Sequence, residues 1–434
     1  MISRRRFVET STLALAGTAC GRRADAGASA AQDDAAGLPP AIAALSSMRD
    51  QATPISVDER RARLEKARRL MTQNGIDAIL LTGGTSMVYF TAMEWWLSER
   101  LTALVIPARG EAFIVTPKFE EERTLEQTRT GPLGANTRVL TWEEDENPYR
   151  RVQQGLRDAG LITGVMGIEE TVRFVFSEGV AKAAPAIRLT SATPVSAGCR
   201  MVKDEHELAL MRLASQVTLK AYEAAYKSLK DGMTQDEFAD LVAKAHERLG
   251  FAGGAGVQVG PYSALPHGSI APQTIHEGTI LLIDGGCKVE GYSSDLSRTF
   301  VLGNATDQMK QVFEIELRAQ TAALVAARPG VECQAVDAAA RKVIEDAGYG
   351  PGYKYFTHRV GHGMGMDGHE WPYLVKGNTL ALQPGMTFSD EPGIYLPGEF
   401  GVRLEDDMVI TETGAELFTP QSRSLEDPFG SGTA

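Results

Sequence analysis

Residues 280–284 read Ile-Leu-Leu-Ile-Asp, an apolar strand that terminates in an acid. After a turn near Gly291 the chain returns as Ser294-Asp295-Leu-Ser-Arg-Thr-Phe300, which brings a second acid alongside the first. An ionised carboxylate on an apolar strand is costly unless a cation or a hydrogen-bonding partner compensates it. Capping of a Gly285-Gly286 turn would account for Asp284 alone. It accounts less well for two acids across one hairpin, so the pair directs attention to further ligands elsewhere in the chain.

Three of the seven histidines fall within twelve residues, His358, His362 and His369, in the segment His-Arg-Val-Gly-His-Gly-Met-Gly-Met-Asp-Gly-His-Glu370. Glycine-rich spacing without an apolar period fits the wall of a site better than a packed element. Gly363-x-Gly365-x-x-Gly368 also matches the dinucleotide fingerprint, but no apolar strand leads into it and Trp371-Pro372 follows where a helix should open, so that reading is rejected. Two more acids complete the set. Glu391 ends a strand at Pro392-Gly393, and Glu405 lies in Val402-Arg403-Leu404-Glu405, where period-two alternation puts Arg403 and Glu405 on one face. Four carboxylates and one imidazole make a hard, oxygen-rich site. It suits two divalent ions bridged by shared carboxylates, Mn²⁺, Co²⁺ or Zn²⁺, rather than a thiolate-bound metal. A dinuclear centre lowers the pKa of water and polarises a carbonyl, which is hydrolytic chemistry.

The 434 residues carry 44 Lys and Arg against 56 Asp and Glu, a formal charge of −12, with 43% hydrophobic residues. This length supports two or three domains, and the acidic balance excludes a nucleic-acid binder, which needs clustered basic residues. Cys199, Cys287 and Cys333 form no C-x-x-C pair and no disulfide framework, and Cys287 reads as a buried small hydrophobe. The first 30 residues hold five Arg and two acids, leaving 39 basic against 54 acidic residues in the remainder. Ser3-Arg4-Arg5-x-Phe7, followed by a short apolar run from Ser11 to Ala19, resembles a twin-arginine export signal over residues 1–31 and implies a periplasmic location. The two end points are cleavage after an Ala-x-Ala-like site within residues 24–31, or lipidation at Cys20, which would anchor the chain to the membrane.

Residues 32–56, rich in Ala, Asp and Pro, read as a linker or an irregular leading segment. Residues 57–197 alternate helix and strand. Helical spacing covers Asp58–Gln73 with Gly75 placed to end it, and strands are expected at 76–81, 101–107 and 112–117. Residues 198–425 form a second, α+β block, with capping-box spacings at Asp204–Glu207 and Thr234–Glu237, helices at 307–327 and 333–347, and strands at 279–284, 295–302, 387–395 and 401–410.

The order Asp284, Asp295, His362, Glu391, Glu405, with these flanks, resembles the pita-bread metallopeptidases: methionine aminopeptidase, Xaa-Pro aminopeptidase and prolidase. The block before it resembles the creatinase-like amino-terminal domain of the prolidase branch. The resemblance implies that Asp284 chelates one metal, that Asp295 and Glu405 bridge both, and that His362 and Glu391 complete the other. It makes Glu391 the general base, gives His267 and His369 contacts to substrate and to the tetrahedral intermediate, and places His358 and Arg403 among the residues of the Xaa-Pro branch. The implied substrate is a dipeptide or short peptide with proline second. The implied assembly is a homodimer, in which Trp95 or Trp96 of one chain could reach a neighbouring site; core packing is the other reading of both. Gly253 stands where many Xaa-Pro members carry Tyr, which leaves open a non-peptidase hydrolase or lyase acting on a small amino-acid-like molecule. An inactive binding module is a third reading, disfavoured because all five ligands are present. Creatine hydrolysis, which needs no metal, is disfavoured for the same reason.

Overall fold

The computed structural model describes residues 37–430. The signal segment with Cys20 and the first residues of the leading segment lie outside the described residues. Residues 40–56 are mostly irregular, yet Ile42, Met48 and Ile55 are buried, and Met48 N donates to Leu249 O, so this stretch is packed against the second unit.

Helix α1 (Val57–Gln73) starts on Ser56, which exchanges hydrogen bonds with Glu59 in a capping box, and it stops before Gly75, whose φ of 63° suits glycine. The first unit is built on a six-stranded sheet of β1 (Ala78–Thr82), β2 (Ala103–Pro107), β3 (Phe113–Pro117), β4 (Arg138–Trp142), β5 (Gly164–Ile168) and β6 (Ile187–Ser191), in the spatial order 4-3-2-1-5-6. Strand β2 runs antiparallel to both β1 and β3, and the remaining pairs are parallel. The central strands are buried along their whole length, as a sheet covered by helices requires. Helix α2 (Thr85–Thr91) follows β1, and helix α3 (Thr193–Arg200) packs on α1 and leads into the second unit.

The second unit begins with α4 (Glu205–Tyr226) and α5 (Gln235–Arg248), each opened by the expected capping box at Asp204 and Thr234. Both helices cover the sheet of β7 (Gly253–Val259), β8 (Ile280–Val289) and β10 (Leu296–Val301), with the short β9 (Tyr292–Ser293) paired to the end of β8. Helices α6 (Asp307–Ala326) and α7 (Cys333–Asp346) pack together. They cover a five-stranded sheet of β11 (Gly361–Gly363), β12 (Glu370–Leu374), β13 (Thr387–Asp390), β16 (Asp406–Ile410) and β17 (Ala415–Leu417), and a hairpin of β14 (Gly393–Leu396) and β15 (Phe400–Arg403). No helix among the described residues is long and apolar enough to cross a membrane.

Three expectations about strand ends are corrected. Strand β8 does not stop at Asp284 but continues to Val289, so Gly285-Gly286 is not a turn for Asp284 to cap. The glycines serve close packing instead: a Cβ on Gly286 would lie 2.0 Å from Ser294 O. The stretch expected as one strand over 387–395 is two, interrupted at Glu391-Pro392, and that over 401–410 is interrupted at Leu404-Glu405. At both interruptions the chain passes between the five-stranded sheet and the β14–β15 hairpin, so Glu391 and Glu405 sit at the seam.

Candidate metal centre

The seam closes on the β8–β10 hairpin through a bridge between Ser297 and Glu405. A cleft of about 430 Å³ opens there, lined by Asp284, Asp295, His362, Glu391 and Glu405 together with His267, His358, His369 and Arg403, and by Pro266, Arg359 and Val375. The ligand atoms fall into overlapping groups within 4.8 Å of one another: Asp284, Asp295 and Glu405 form one, and His362, Glu391 and Glu405 another. Asp295 and His362 also group with His369, to which the family resemblance gives a contact to substrate rather than to metal.

Each side chain is held by its own strand environment. His362 Nδ1 bonds to Gly363 O at 3.1 Å, leaving Nε2 to face Glu391 Oε1 at 3.1 Å and Asp295 Oδ2 at 3.9 Å. Ser389 Oγ donates to Glu391 Oε1 and accepts from His362 N. Ser297 Oγ donates to Glu405 Oε2 at 2.6 Å and accepts from Arg403 Nε at 3.0 Å. Arg403 Nη2 donates to Asp284 Oδ2 at 2.6 Å, so one buried guanidinium spans the acids of two sheets. Asp295 N donates to the carboxylate of Asp407, which also accepts from Ser215 Oγ.

Burial, reinforced by the neighbouring acids, pushes the Asp295 and Glu405 carboxyls well above their ordinary range. A cluster of this kind stays ionised near neutral pH when multivalent cations offset the repulsion. The oxygen-rich donor set, with one imidazole nitrogen aimed into it, therefore fits divalent ions. Burial lowers the pKa of His358 and of His369, which favours their neutral forms.

Tyr395 is the residue that sequence reasoning missed. Its hydroxyl donates to or accepts from His358 Nε2 at 2.7 Å and accepts from Arg403 Nη1 at 2.9 Å, tying both to the site floor. It lies four residues beyond Glu391, but the strand break at Pro392 removes the alternation that would have aligned the two. Trp95 does not line the cleft of its own chain: it is buried in a core shared by the two units and stacked on the exposed Trp96 with ring centroids 5.6 Å apart, and Arg123 lies over both rings; the expected reach concerns the site of a neighbouring chain. Gly253 faces away from the cleft. A Cβ there would lie 2.5 Å from His246 Cδ2 and 2.7 Å from Cys287 Cβ, so a side chain at this position would strike the core rather than line the cleft.

A mixed six-stranded amino-terminal unit followed by a pita-bread unit with five candidate ligands at its seam defines a class, and the chain belongs to metallopeptidase family M24. That family's pattern matches residues 209–412, and the creatinase/prolidase N-terminal domain matches residues 63–202. The chain is 37% identical over 359 residues to "Probable dipeptidase PepE" of Mycobacterium tuberculosis, covering 81% of this chain and 92% of that protein. It is 32% identical to the Xaa-Pro dipeptidase of Lactobacillus delbrueckii, covering 84% and 98%. The crystal structure of dipeptidase PepE from Mycobacterium ulcerans superposes with a TM-score of 0.79 at 34% identity, over 85% of this chain and 97% of that one.

Proposed function

We propose that the protein is a metal-dependent dipeptidase that hydrolyses the Xaa-Pro bond. The observation that carries this reading is the single cleft that joins all five candidate ligands to His267, His358, His369 and Arg403. Relatives named Xaa-Pro dipeptidase that align along most of this chain support it. Asp284, Asp295, His362, Glu391 and Glu405 would hold two divalent ions, Mn²⁺ by preference and Co²⁺ or Zn²⁺ as alternatives. Such ions lower the pKa of water and polarise the scissile carbonyl. Glu391 takes the proton of the attacking water and delivers it to the leaving proline nitrogen. Arg403 fixes Asp284, Tyr395 fixes His358, and His267 and His369 face the substrate from the cleft wall.

The test is turnover of Xaa-Pro dipeptides, tripeptides and small amino-acid-like compounds by protein reconstituted with defined metals. Dipeptide cleavage supports the reading; cleavage of longer peptides alone makes the enzyme an aminopeptidase, and turnover of none of the peptides removes the reading. Gly253, the motive for a non-peptidase substrate, is not among the residues that line the cleft, and turnover of the small compounds without peptide turnover would select that second reading.

Export by the twin-arginine route to the periplasm is proposed from residues 1–31 alone, with Cys20 as the alternative anchor. Cell fractionation of the full chain and of an Arg4→Lys, Arg5→Lys variant tests it: loss of the periplasmic fraction in the variant is expected. A homodimer is proposed from the resemblance to the prolidase branch, and the mass of the protein in solution tests that.

A further inference from the structure

His369 has little of its own to hold it in place. Its ring lies on that of His362, with centroids 3.6 Å apart and planes 18° from parallel, and its Nδ1 is 3.4 Å from Arg359 Nη2. The backbone on either side is, by contrast, tied down by charge. Arg200 Nη2 donates to Asp367 Oδ2 at 2.5 Å and also to Glu370 Oε2. The other oxygen of Glu370 accepts from Lys203 Nζ at 2.6 Å, and Asp367 Oδ1 accepts from Thr85 Oγ1 at 2.5 Å. Arg200, Lys203 and Glu370 are buried. Gly365 is packed so tightly beneath them that a Cβ would lie 2.6 Å from Glu370 Oε1. Arg200 ends α3, at the join of the two units, and Thr85 opens α2 in the first unit. Neither Thr85, Arg200 nor Lys203 lines the metal-centre cleft.

We propose that this buried ion cluster is a latch through which the first unit places His369 over His362. Thr85, Arg200 and Lys203 are then positioning residues for the reaction, acting through the 364–370 segment without touching substrate. The inference rests on the reading of His369 as a substrate-contacting residue of an Xaa-Pro dipeptidase. Charge-assisted hydrogen bonds among buried groups are short and directional, and they hold a segment in one place more firmly than surface contacts do.

The test compares Arg200→Gln, Arg200→Lys and Thr85→Val, each alone and combined with His369→Ala, in full-length protein with metal content measured. Arg200→Gln is expected to lower kcat/KM by about 10–100-fold, with the double variant no worse than His369→Ala alone. Arg200→Lys should recover part of the loss. Thr85→Val, which removes one hydrogen bond to Asp367 and leaves the charges paired, should show a smaller loss that likewise disappears in the His369→Ala background. In the metal-free protein, amide hydrogen exchange of Arg200→Gln and Thr85→Val should rise in 364–370 and stay unchanged in the rest of both units. Multiplying losses in the double variants, or exchange that rises evenly or leaves 364–370 unchanged, would overturn the latch. If the wild type cleaves no Xaa-Pro peptide, the dipeptidase reading falls, and the exchange pattern still decides the latch.

Discussion

Glu391 is held by two neighbours of different character, the Ser389 hydroxyl and the His362 imidazole, which fix one of its oxygens and leave the carboxylate facing the cleft. Glu391→Gln keeps the shape and removes the proton acceptor, so it should fold normally and lose about 10²–10⁴-fold in kcat; unchanged turnover would remove Glu391 from the mechanism. Tyr395→Phe is subtler. It unties His358 from Arg403 while Arg403 keeps its bonds to Pro266 O, Ser297 and Asp284. The melting temperature should move little, and kcat should fall while metal content stays the same. A loss of bound metal would show instead that the hydroxyl supports the ligands. At this scale the candidate ligands that the cleft brings together were legible because acids on apolar strands stand out against their surroundings. Tyr395 was not, because its partners lie across a strand break, and nothing in a tyrosine's own neighbourhood marks it as a bridge.

The elements carry a second kind of information, stored in glycines and caps. Strand β8 passes Ser294 so closely that Gly286→Ala places a Cβ against backbone that cannot swing aside. The change should cost about 1–3 kcal/mol and weaken metal binding by displacing Asp295, measured by thermal melting and metal titration together; normal metal affinity would contradict the account of the hairpin. Between units, His206 Nδ1 meets Glu59 Oε1 at 2.6 Å and its Nε2 meets Thr53 O. Partial burial opposes protonation of His206, but these bonds outweigh it and raise the pKa. Burial likewise opposes ionisation of Glu59, yet the bonds from Ser56 and His206 bring it down to about 2. A raised histidine stabilises fully below its ordinary 6.5 and loses that contribution as pH rises through its folded value; a lowered glutamate stabilises above its ordinary 4.5 and loses it as pH falls toward about 2. The gap in stability between wild type and His206→Ala should therefore be widest between pH 4.5 and 6.5 and shrink above, with a size under about 1 kcal/mol because both groups remain partly exposed. A gap that widens with rising pH would refute the pairing. The capping boxes at Asp204 and Thr234 were readable directly from spacing. The break at Glu391 was marked by Pro392-Gly393, whereas the one at Glu405 was not, since the alternation of Val402, Leu404, Met408 and Ile410 carries on across it and only the meeting of two sheets bends the chain there.

At the scale of the whole molecule, the site exists only when distant segments close together. Arg403 and Asp284 are 119 residues apart in the chain, and Ser297 and Glu405 are 108 apart. The fold thus gathers four carboxylates whose repulsion opposes their own assembly, and divalent cations held there would offset it. Metal removal should lower the melting temperature, and readdition should restore it in a concentration-dependent way, because ligands that bind only the folded chain stabilise it by mass action. Trp95 and Trp96 show the limit of reading at this scale: the sequence allowed either core packing or a reach toward a neighbouring site, and within one chain Trp95 is buried while Trp96 beside it stays exposed. The central claim is that this seam holds two divalent ions and uses them on an Xaa-Pro bond. The direct measurement is Ala-Pro hydrolysis by the Mn²⁺-reconstituted protein, with metal content determined on the same sample. About two ions per chain, turnover abolished by chelation and turnover restored by metal are the predicted results. Two ions per chain with no cleavage of any Xaa-Pro peptide would contradict it.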